Sequence, residues 1–343
     1  MISAREYYYS KVAPNELGVN YHTLRRQGLE YALSEHPELE SSYRRALNHV
    51  PTLSNDLLLE ELTRELIERT DGVVRERLER IFVAKRATLL ANAGAYIQSG
   101  EIEGDLVFFN VGLSDAALQY AILFRGMISV KQAIRQGNLA AASDLLEDAK
   151  RLASAQGRWR ISGDVIQLTD DDALQIPEDS GIAVGIATMT DRFILSHEIA
   201  HHLLGHTGGI DHTSHFIERS LTTDAQARRD KAPRRRREEY DADWLAILIL
   251  AGITHSSVTK VSDVFANQAA LGSLLTLTVI GQISNPSISS GSHPSPFDRY
   301  SHCLEALSTL QTYQPVAILR DIRNFHRLLY RTQGVGLGAS IDE

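Results

Sequence analysis

His197 and His201, with Glu198 beside the first, constrain this chain more than any other feature because they demand that distant segments meet. Residues four apart on a helix differ by only about 40° in direction, so the two imidazoles point at one metal ion. Glu198 flanks them where its carboxylate reaches a water at that ion. This is the geometry of a zinc hydrolase. A catalytic zinc takes three protein ligands and keeps a fourth position open, so another segment must be folded onto this helix to supply the third.

The motif lies inside the string Ile-Leu-Ser-His-Glu-Ile-Ala-His-His-Leu-Leu-Gly-His, positions 194–206. Thr190 or Asp191 is expected to cap the helix and Gly208 or Gly209 to end it. By the helical angle, His202 stands about 140° and His206 about 180° from His197, so both are expected to face elsewhere as core or surface residues. Metzincins place Gly seven and His ten positions after the first ligand. Those positions hold Leu204 and Thr207, so that class is excluded.

The third ligand is sought after an arginine run, in the string Glu-Glu-Tyr-Asp-Ala-Asp-Trp-Leu-Ala at positions 238–246, which opens an apolar helix. Glu239 and Asp243 are again four apart. Glu239 can ligate zinc, and Asp243, one turn later, can accept the free N–H of a ligand imidazole, which fixes its tautomer. Acidic residues placed for the helix dipole are the simpler alternative. A third segment, Ser-Gly-Ser-His-Pro-Ser-Pro-Phe-Asp-Arg-Tyr, places His293 and Arg299 after a Gly/Ser/Pro-rich loop, where either could stabilise an oxyanion.

Taken in order, HExxH, Glu-x-x-Ala-Asp and His-Pro followed by Arg resemble the gluzincin peptidases of the HtpX and CAAX prenyl protease type. The resemblance covers roughly Asp191 to His302. It implies a zincin-like core with His197, His201 and Glu239 as ligands of one zinc per chain and Glu198 as general base. It also makes Asp243 the partner behind a ligand, His293 a transition-state stabiliser and Arg299 a loop anchor. The implied activity is peptide-bond hydrolysis in a protein or peptide substrate. Phage-defence and stress-regulator zincins are similar at the same helix. The alternative is a regulatory module of that kind with a structural or sensing metal, but a structural site has no use for a carboxylate beside an open position.

The rest of the chain sets the frame. Its 343 residues are about two domains' worth. Apolar residues at helical spacing from Leu57 to Ile97, broken at Gly72, predict amphipathic helix. A β-type run follows over Leu106 to Val111, then helix from Ser114 and again over Leu139 to Ala155. Trp159 to Leu168 and Gly181 to Met189 read as strands or loops. The expected class is α+β, mostly helical, with a helical N-terminal domain over 1–103 and a zincin-like domain over 104–343. An arginine-rich insertion over about 207–238 is expected to be a solvated, mobile excursion.

Lys plus Arg at 35 against Asp plus Glu at 43 leave a net charge of -8. With no aromatic residues among the arginines, that argues against a nucleic-acid partner. The apolar runs Trp244 to Ile253 and Leu271 to Ile280 are shorter than the roughly 20 residues of a membrane span and read as buried helices. Met1 to Pro14 has no apolar stretch of the secretory kind, so a cytoplasmic protein is expected. The single cysteine, Cys303, excludes an intrachain disulfide and reads as a small core residue.

Overall fold

A computed structural model describes residues 1–15, 21–35, 37–49, 52–88, 90, 92–96, 100, 102–137, 181–255, 261–283, 293–310 and 316–332, with scattered positions between 140 and 151. The chain is α+β and mostly helical, as expected. Strand β1 (Ile2–Ser3) and helices α1 (Ala4–Tyr7), α2 (Tyr21–Glu35), α3 (Glu40–Leu47), α4 (Leu57–Glu68) and α5 (Gly72–Leu78) come first. Strands β2 (Ile81–Arg86), β3 (Ala93–Ala95), β4 (Ile102–Glu103) and β5 (Asp105–Asn110) follow. The remaining helices are α6 (Val111–Arg135), α7 (Gly181–Leu203), α8 (Ser214–Ser220), α9 (Thr223–Lys231), α10 (Arg234–Ala251), α11 (Asp263–Ile283), α12 (Pro296–Ser308) and α13 (Val316–Thr332).

The main sheet has the order β2–β5–β3. β2 runs parallel to β5, with Ile81 opposite Asp105, and β3 runs antiparallel to it, with Ala95 opposite Val107. The smaller sheet pairs β1 with β4. Helix α7 lies at the centre, packed against α6, α10 and α11 and reaching β3 and β5 at the sheet. α7 and α11 approach closely because position 272 is glycine: a Cβ there would meet the carbonyl oxygen of Met189 at 2.5 Å. Trp244, Leu245 and Leu248 of α10 and Leu274 and Leu275 of α11 join Phe193, Ile199 and Leu203 of α7 in one buried core.

A polar network crosses this core. Lys85 of β2 donates to the Ser114 hydroxyl of α6, which in turn lies 3.2 Å from the carboxylate of Asp191 on α7. Burial pushes Asp191 up to about 6, against the pull of Lys85.

Several expectations are corrected. Helix was predicted through Leu57 to Ile97, and α4 and α5 account for its first part. Ile81 to Ala84 are instead strand, because this run is buried on both faces beside β5 and an alternation of 2 or 3.6 leaves no mark on it. Gly181 to Met189 is the start of α7 rather than strand or loop. Ala183, Ile186 and Ala187 are its buried face, while Ile182 and Val184 are exposed. Thr190 and Asp191 are therefore buried in mid-helix and cap nothing. The arginine-rich stretch is not a loose excursion: it forms α8, α9 and the first turn of α10, pinned by Arg228 to Glu305 and Arg229 to Asp241. Glu239 thus lies in the second turn of α10, which starts at Arg234. Among the described residues, α11 is long and apolar enough to cross a membrane, although most of it is buried inside the protein. Most of the expected helix over Leu139 to Ala155, and all of Trp159 to Leu168, lie outside the described residues.

Candidate metal centre

Helix α7 supplies His197, Glu198 and His201, and α10 supplies Glu239 and Asp243. The two helices cross in the core, and the crossing brings three donor atoms together. His197 Nε2 lies 3.2 Å from His201 Nε2 and 3.5 Å from Glu239 Oε2, and His201 Nε2 lies 3.6 Å from Glu239 Oε1. Donors held about 2.0–2.1 Å from a tetrahedral zinc stand roughly 3.3 Å apart. The spacing, and the mixture of two imidazoles with one carboxylate, fit that ion.

Behind the donors, Asp243 Oδ1 accepts from His197 Nδ1 at 2.9 Å. Asp243 is fully buried, and its charge is met by Arg299 of α12, whose Nε and Nη2 donate to the two carboxylate oxygens at 2.8 and 2.7 Å. The same guanidinium places Nη1 3.4 Å from Glu239 Oε2. Arg299, a loop anchor by resemblance, therefore ties Glu239 and Asp243 of α10 to α12. His293 brings Nε2 to 3.4 Å from Glu239 Oε1 while staying largely exposed at the rim.

The electrostatics follow from this packing. Burial opposes charge on His197, but the Asp243 and Glu239 carboxylates outweigh it and raise the imidazolium to about 10. Burial also acts on Glu239, yet the bond to His197 and the Arg299 charge hold it near 2. His201 is pushed well below its ordinary value by burial and then by the charge of His197. Glu198 is raised, chiefly by desolvation. Its Oε2 accepts the backbone N–H of Ala95 at 2.8 Å, so the outer side of β3 borders the site.

Apart from Asp243, which is buried behind His197, these groups line a cavity of about 440 Å³ whose remaining wall includes Leu113, Phe193, Ile194 and Ile280. Six of the seven residues singled out in the sequence meet at this cavity, and the seventh, Asp243, backs them through His197 and Arg299. Two further histidines behave differently. His202 points away, as expected, with its ring bonded to Thr207 and to the carbonyl of Leu106. His206 does not face elsewhere: its Nδ1 lies 2.9 Å from His201 Nδ1, and it lines the cavity. The helical angle fails for it because α7 ends at Leu203. Gly205, with a φ of +72°, turns the chain back, a signal present in the sequence.

A family model described as Peptidase U49 matches residues 115–317. No curated protein and no solved structure matches the chain.

Proposed function

The chain belongs to the peptidase U49 family, and from that premise we propose that it is a zinc metallopeptidase hydrolysing peptide bonds in a protein substrate, with His197, His201 and Glu239 as ligands and Glu198 as general base. The observation that carries this reading is the meeting of three donor atoms within 4.8 Å of one another, from two helices, beside a raised carboxylate on the wall of one cavity. When bound, zinc supplies a Lewis acid that polarises the scissile carbonyl and acidifies water.

The protein groups do the rest. Asp243 holds the His197 ring with Nε2 turned to the donor cluster, and Arg299 keeps Asp243 ionised. Glu198 takes a proton from the attacking water and later gives it to the leaving amine; a carboxyl raised by desolvation suits both transfers. His293, at the rim, donates to the oxygen that gains charge as the carbonyl is attacked. Asn92, Ala93 and Gly94 lie along the cavity with Ala95, so an extended peptide passing through it runs beside β3. The HtpX and CAAX prenyl protease likeness supports the same role for each residue.

Comparison of wild type with Glu198→Gln tests the reading. The amide keeps the shape and the metal but takes no proton, so new protein termini in a cell expressing wild type should be absent with the variant. Hydrolysis should drop roughly 100-fold or more at unchanged zinc content. A variant that matches wild type would remove Glu198 from the reaction.

A further inference from the structure

Asp243 orients one of the two imidazoles, and the other has its own partner. We propose that His206 is a positioning residue of the metal centre: its Nδ1 accepts the Nδ1–H of His201 and so leaves His201 Nε2 bare for the ion. The inference rests on the zinc-peptidase reading above.

Two ring nitrogens 2.9 Å apart share one proton, so one donates and the other accepts. His201 Nε2 is the atom that faces His197 and Glu239, and a ligand nitrogen carries no proton. The His201 proton is then on Nδ1, which makes His206 Nδ1 the acceptor and leaves the His206 proton on Nε2. The reverse assignment would put a proton on His201 Nε2 and close it to any metal.

The end of α7 explains how His206 comes to be there. Gly205 N donates to the His202 carbonyl at 3.2 Å, and His206 N donates to the His201 carbonyl at 2.9 Å. With Gly205 left-handed between them, this is the Schellman pattern, which sets the residue after the glycine against the residue five positions earlier. That contact is commonly apolar, and an apolar side chain would close the turn equally well. Here it is an imidazole meeting the ring of His201 at 5.1 Å between centroids and 62° between planes. The turn does not require a hydrogen-bond acceptor at this position, whereas a metal-ligating His201 does.

The test is zinc affinity, measured by chelator competition on the full chain, for wild type, His206→Phe and His206→Asn, with His197→Ala as control. Phe keeps the ring and closes the turn without an acceptor, and it should weaken zinc about 10- to 100-fold. Asn places Oδ1 near the position of Nδ1 and should bind within a few fold of wild type. Melting temperatures of the metal-free proteins should agree, and the visible spectrum of the cobalt-loaded Phe variant should shift while that of Asn does not. Phe binding zinc as tightly as wild type, or Asn as weak as Phe, would overturn the role of His206 alone. Wild type without zinc, or His197→Ala with full zinc, would overturn the site and this inference with it.

Discussion

Arg299 is the residue on which the charge balance of the site turns. Its planar fork serves both oxygens of Asp243 and reaches Glu239, which a lysine ammonium cannot reproduce from one position. Arg299→Lys is therefore expected to weaken zinc binding, with Asp243→Asn weakening it roughly 10- to 100-fold, as measured by chelator competition. Glu239→Ala should lose the ion, whereas Glu238→Ala should keep it, since Glu238, although it borders the cavity, accepts from Arg234 and is not among the three clustered donors. Asp191 gives a pH signature remote from the donors. Its native value of about 6 lies above the ordinary 3.8, so the folded state holds this proton more tightly than the unfolded one. Stability from this group is fully present below about pH 4 and is lost as pH rises through 6. Between pH 4 and pH 7 the stability difference between wild type and Asp191→Asn should fall by roughly 2 kcal/mol, read from urea titrations at the two pH values.

At the scale of elements, the site depends on how closely α7 and α11 pack. Phe193, one turn before His197, has its Cβ 3.2 Å from where a side chain at Gly272 would begin. Gly272→Ala is expected to push the helices apart and cost about 1–3 kcal/mol in thermal or urea unfolding, with zinc affinity falling alongside. Elements are also where sequence reading met its limits. α10 and the strand over 105–110 were legible because their apolar runs have clear boundaries. β2 was not, since Ile81 to Ala84 are apolar without alternation, and only the pairing with β5 decides between strand and helix. The first turns of α7 were missed for the opposite reason: Ile182, Val184 and Ile186 suggest strands, yet the buried face is the helical set Ala183, Ile186 and Ala187. The donor set was legible because spacing of four on two helices fixes direction. His206 was not, because its direction comes from the turn at Gly205 and not from a helix.

For the whole molecule, α7 and α10 are separated in sequence by α8 and α9, so an ion shared by His197, His201 and Glu239 closes that stretch into a ring. The ring already has non-metal fastenings: His197 Nδ1 against Asp243, Arg229 against Asp241, and the Trp244 indole N–H donating to Ser220 at 2.7 Å. A bound ion adds another, and in the unfolded chain none persists. Zinc should consequently act as a removable staple, raising the melting temperature with metal concentration as expected for a ligand that binds only the folded chain. Hydrogen exchange should localise the effect, with the amides of α8 and α9 exchanging faster once a chelator opens the ring, while those in the middle of α11 remain protected.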